Sequence, residues 1–167
     1  MADGTWTSGS LCSHKHGQEI EVEYQCEPEL NPQKFTIWIR PRERWPEDPP
    51  DEIGYQATFI KEDGGTIRAT SLSRNGFESL KGVTHDLLMR VAGHAERAVR
   101  SSLLLDHSET AEDRDDQLQE EGKDMWERFK REGRAVFDNG QRRYHLTVFE
   151  TVSEPSRVAS KPPCKKD

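Results

Sequence analysis

An α+β domain is what this sequence predicts: a mainly antiparallel sheet of about four to six strands, a long helix packed on one face, and a second helix. Three observations carry that expectation. Short segments alternate apolar and polar residues at the strand period, glycine-containing turns join them, and from Phe77 the apolar spacing changes to threes, fours and sevens. A helix with such a stripe buries it by lying across a sheet.

Taken in order, residues 1–18 are rich in Gly, Ser and Thr without an apolar period, which predicts a flexible N-terminal arm. The domain proper is expected over 19–152. Its first strand has Ile20, Val22, Tyr24 and Cys26 alternating with Glu19, Glu21, Glu23 and Gln25, so that one face is core and the other a row of carboxylates. A second strand sets Phe35, Ile37 and Ile39 against Thr36, Trp38 and Arg40. The connection from Pro41 to Ile53 carries four prolines, which predicts an extended, semi-rigid loop, and its length makes Trp45 a residue of interest.

A hairpin follows, with Tyr55, Ala57 and Phe59 on one arm, Asp63-Gly64-Gly65 at the turn, and Ile67, Ala69 and Ser71 on the other. Gly82 and Thr84 mark a break, after which Leu87, Leu88, Val91, Ala95, Ala98, Val99 and Ser102 predict a helix from about Thr84 to Leu105. The acidic stretch 106–116 reads as a solvated linker or the opening of another helix, and Leu118, Met125, Trp126 and Phe129 give a second stripe ending near Gly133. Arg134–Phe137, the Asp138-Asn139-Gly140 turn and 143–152 predict a second hairpin with Tyr144, Leu146, Val148 and Val152 on one face. The tail from Ser153 reads as disordered.

Composition bounds the rest. Hydrophobic residues make up 32% and charged residues 33% of the 167, so much of the chain is solvated. The net charge of −7 is uneven: residues 19–72 carry twelve acids against six bases, and residues 134–167 seven bases against four acids. Cys12, Cys26 and Cys164 are too few and too scattered for a disulfide framework, which favours a reducing setting. With neither a signal-peptide pattern nor an apolar run long enough to span a bilayer, the expectation is a soluble, cytoplasmic protein without membrane contact.

Chemical motifs are sparse. Cys12, His14 and His16 are metal-type ligands at irregular spacing, and Cys26 shares the parity of core residues, so no metal is expected. No nucleophile elbow, zinc-protease motif or phosphate loop occurs, and Phe59 stands where a nuclease-like Pro50-Asp51…Lys61 arrangement needs an acid. No cofactor is expected, and catalysis is left to a site assembled from distant residues.

The leading functional reading is a non-catalytic regulatory or adaptor protein that binds another protein, with a homodimer as one form of that interaction. Trp38, Ile60 and Leu72 would lie on the sheet face away from the long helix, rimmed by Trp45, and either the second helix or a partner would cover them. The alternative is nucleic-acid binding, RNA above all, through Arg90, Arg97 and Arg100 on a helix together with Arg142 and Arg143. Strands followed by such a helix resemble the layout of double-stranded-RNA-binding modules. The lysine cluster those modules carry at the helix start is here Asn75-Gly-Phe-Glu-Ser-Leu-Lys81.

Overall fold

Alternation in the first half of the chain builds a meander. The computed structural model describes residues 5–28, 33–62, 64–95, 97–105 and 118–147. Within them the elements run β1 (Thr7–Ser13), β2 (Gln18–Pro28), β3 (Lys34–Pro41), β4 (Tyr55–Glu62), β5 (Thr66–Ser73), α1 (Thr84–Ala95), β6 (Ala98–Ser101), α2 (Glu120–Arg131), β7 (Ala135–Asp138) and β8 (Arg143–Leu146). All eight strands form one sheet in the order β1-β2-β3-β4-β5-β6-β8-β7. Every pairing is antiparallel except β5 with β6, which α1 connects as a crossover.

The α+β class matches the expectation, but the strand count and the long helix do not. One added strand is β1: Thr7–Ser13 lies within the stretch expected to be a flexible arm, yet it pairs along its length with β2, from Thr7 opposite Tyr24 to Ser13 opposite Gln18. Gly9 fits here because the Tyr24 ring passes over it; an added Cβ would lie 3.3 Å from that ring. Another is β6. Residues 84–105 were expected to be one helix, but α1 stops at Ala95, where the Arg97 N–H reaches back to the Ala92 carbonyl at 3.1 Å. Val99 satisfies the helical period and the strand period alike, and pairing with Ile67 decides for the strand.

Both helices lie on the same face of the sheet. Ile39, Tyr55, Phe59, Ile67 and Val99 meet Leu87, Leu88 and Val91 of α1 and Trp126 and Phe129 of α2 in a single buried cluster. Each fully buried large side chain there contributes about 1.5–3 kcal/mol. Phe129 also meets His85 of α1 edge-on at 5.4 Å, and Trp126 stacks on Tyr144 of β8 at 6.1 Å. The second helix therefore does not cover the face holding Trp38, and the described residues form two layers. α2 ends as its sequence predicts, with Gly133 at φ 76° and the Arg134 N–H bonded to the Phe129 carbonyl.

The face that neither helix covers is polar rather than apolar. The Trp38 indole donates to Glu27, Arg40 pairs with Glu23 beneath the Trp6 ring, Thr36 and Thr58 join hydroxyls, and Glu62 holds Arg68 and Arg100. Cys26, expected in the core, is an exposed thiol because the helices do not extend over that end of β2, where Tyr24 is also 42% exposed. Expectations for Val148, Val152 and the tail from Ser153 lie outside the described residues.

A cationic cleft where the parallel strands part

β5 departs from regular pairing at Thr70. Thr58 faces Ser71 while Phe59 faces Ala69, so Thr70 is an extra residue, and its hydroxyl bonds to the Thr58 carbonyl at 3.2 Å. The bulge shifts the side-chain period by one. Leu72 therefore sits opposite Ala57 on the helix-covered face, not beside Trp38 and Ile60 as plain alternation predicts.

Beyond the bulge β5 also loses a neighbour. β6 pairs only with Thr66–Ala69, whereas β4 accompanies β5 to Ser73. The gap opens into a cleft of about 950 Å³. Crevices at the carboxyl ends of parallel strands are recurrent ligand sites.

Four other segments close the cleft. The loop 74–83 forms one wall and is pinned from behind by the proline-rich connection. Asp48 is 6% exposed and accepts the N–H and hydroxyl of Ser79 and the N–H of Trp45. Burial alone would raise the Asp48 carboxyl, but the Ser79 hydroxyl and then the N–H groups of Ser79, Trp45 and Glu78 outweigh it and hold the group below its usual range. Arg44 donates to the carbonyls of Pro49 and Glu52, so the connection folds back on itself instead of running extended.

The turn between β1 and β2 forms a second wall. The His14 N–H bonds to the Gly82 carbonyl, the Ser13 hydroxyl to the Lys81 carbonyl, and the His16 Nε2–H to the Glu78 carbonyl. Gly82 is required at this junction: its φ is +85°, and a Cβ would stand 2.4 Å from the Lys15 nitrogen. The start of α1 supplies Thr84 and His85, with the Thr84 hydroxyl 2.6 Å from the Tyr55 hydroxyl. Burial first of all pushes Tyr55 up to about 12, against the Thr84 hydrogen bond and the Arg74 charge. The far side is α2 and its approach, held to the chain just past β6 by the Leu118 N–H on the Leu103 carbonyl at 2.8 Å.

The charge of the described lining residues is one-signed. Lys15, Arg74, Lys81, Arg128 and Arg134 line the cleft together with His14 and His85, and among the described residues no carboxylate lines it. Glu78 stands behind Arg74 and Lys81 at 3.7 Å from each, and Glu132 pairs with Arg134 at 3.3 Å, which offsets part of that charge. Lys15 and Arg128 form no ion pair among the described residues. The floor is apolar, with Leu72, Met125, Trp126 and Phe129. Such a site attracts anions that also carry an apolar part. A general acid–base pair built on a carboxylate is not among its described groups.

The residues singled out from sequence are dispersed. Trp38 and Ile60 share the open face, Leu72 lies in the cleft, and Trp45 packs on His16 at 4.7 Å and against the core. Arg97 and Arg100 leave the helix and bond to Glu62, Arg143 is buried on the Ser101 carbonyl, Arg142 sits at φ 58° in the β7–β8 turn, and Arg90 pairs with Asp86 on α1. They do not make one basic helix face. Cys12 is disulfide-bonded, a departure from the expectation of reduced cysteines, so its sulfur is no metal thiolate. His14 accepts from Arg134 while His16 turns to Glu78.

Sequence reading missed the cleft because its cations come from separate segments; the one local sign was the pair of glycines at 76 and 82 flanking Lys81. No family model, no curated protein and no solved structure matches the chain, so its function rests on the chemistry of this cleft.

Proposed function

We propose that the chain is a non-catalytic binding protein, regulatory or adaptor in role, that recognises an anionic partner through the cleft. One observation supports this above the others: in a chain of net charge −7, the described lining gathers five Lys and Arg residues and no carboxylate. Like-signed groups around a concave, partly apolar surface raise the local concentration of counter-charged ligands and select against cations. The docking surface thus moves from the open sheet face, where Glu27, Glu23 and Glu62 already engage Trp38, Arg40, Arg68 and Arg100, to the helix-covered side. No helix among the described residues is long and apolar enough to cross a membrane.

The test is an NMR titration of the full chain with sodium pyrophosphate and with poly-L-glutamate. Shifts should concentrate at Thr70–Ser73, Lys81 and Arg128, fade with added salt, and weaken by about tenfold or more in Lys15→Glu/Arg128→Glu. Both sites are exposed, so the variant keeps its fold. Anion binding that maps to Arg97 and Arg100 on the open face, or no binding at all, would overturn the proposal.

A further inference from the structure

The cleft presents the edge of β5, not only its face. Ala69, Thr70, Ser71, Leu72 and Ser73 all line it, although successive residues of a strand point to opposite sides. Five consecutive residues border one space only when that space runs along the strand's hydrogen-bonding edge. The register agrees, since β6 ends its pairing at Ala69 while β4 occupies the other edge to Ser73. From Thr70 to Ser73 this edge has no strand beside it among the described residues. Main-chain donors and acceptors alternating along about 13 Å of strand are matched by an extended polypeptide, not by a phosphate or a nucleotide.

We infer that the occupant is an acidic segment of a protein partner, which enters the cleft in extended form and adds a strand to β5 at Thr70–Ser73. Charge complementarity selects it: Lys15, Arg74, Lys81 and Arg128 surround the strand position, and the Met125 and Trp126 side chains offer apolar contact to alternate residues. The inference rests on the reading of the cleft as an anion site and names the class of its ligand.

Its test compares three probes on the full chain: a short synthetic peptide alternating Glu and Val, the same peptide N-methylated at alternate amides, and pyrophosphate. The unmethylated peptide should bind, slow amide exchange within Thr70–Ser73, and lose about tenfold in affinity on methylation, because only the main-chain bonds differ. It should also lose affinity in Lys15→Glu/Arg128→Glu. Equal binding of all three probes in the cleft would overturn strand addition and leave the anion site standing. Failure of all three would overturn both. Peptide binding that appears only after the six acidic residues within 106–117 are changed to Ser would make the chain's own segment the occupant and end the partner proposal.

Discussion

Asp48 grips Ser79 twice, one carboxylate oxygen accepting its N–H at 2.9 Å and the other its hydroxyl at 2.6 Å, across 31 residues of chain. This clamp fixes the cleft's loop wall to the proline-rich connection. Asp48→Ala leaves buried donors without an acceptor and should cost about 1–3 kcal/mol of stability in urea unfolding.

Asp48 and Glu62 also set an acid limit. In Glu62, burial pushes the carboxyl up, but the Arg100 hydrogen bond and the charges of Arg100, Arg68 and Arg143 pull it below its usual value. Both folded carboxyls lie lower than their unfolded counterparts. Their stabilisation is therefore full above the unfolded value of about 4 and is lost as pH falls through the folded ones. Stability of the natural chain should decline below pH about 4, with a shallower decline in Asp48→Asn/Glu62→Gln. Parallel slopes would refute the assignment.

Removing Glu62 alone at neutral pH is a separate matter. Arg68 and Arg100 converge on it with side chains 8% and 20% exposed. Glu62→Gln leaves those guanidinium groups facing one another and should cost about 2–4 kcal/mol, read by chemical denaturation.

Two glycines separate strain from collision. Gly65 at φ +87° has nothing within 4 Å of an added Cβ, whereas Gly82 at φ +85° would meet Lys15 backbone at 2.4 Å. Gly65→Ala should cost about 1–2 kcal/mol from its backbone alone. Gly82→Ala should cost clearly more, and should perturb the His14 and Lys15 amides.

Trp45→Ala should destabilise the chain more than Trp38→Ala. The first ring packs on His16 and the core, whereas the second spans the open face with one bond to Glu27. Thermal unfolding of both variants decides the order.

The sequence made β2 to β4, the first half of β5 and α2 legible because their apolar residues keep one period, and Gly64-Gly65 and Gly133 mark the β4–β5 turn and the end of α2. It hid β1, whose Thr7-Ser-Gly-Ser10 start has no apolar alternation and is held by β2. It hid β6 because four residues cannot distinguish two periods. The Thr70 bulge moved Leu72 to the opposite face, which alternation cannot foresee. The cleft was beyond reach for a related reason: Lys15 and Arg128 become neighbours of one space only after the sheet and both helices are in place.

The β1–β2 turn is latched to residues far along the chain, with separations of 74 for Cys12 to Asp86, 68 for Ser13 to Lys81 and 62 for His16 to Glu78. The amino-terminal edge therefore cannot lock until the middle of the polypeptide has been synthesised and the first helix has formed. Such distant closures slow folding and expose a lone hairpin in the meantime. Substitutions at Ser13 should chiefly hasten unfolding and leave the refolding rate nearly unchanged in stopped-flow measurements, the behaviour of a latch that closes late.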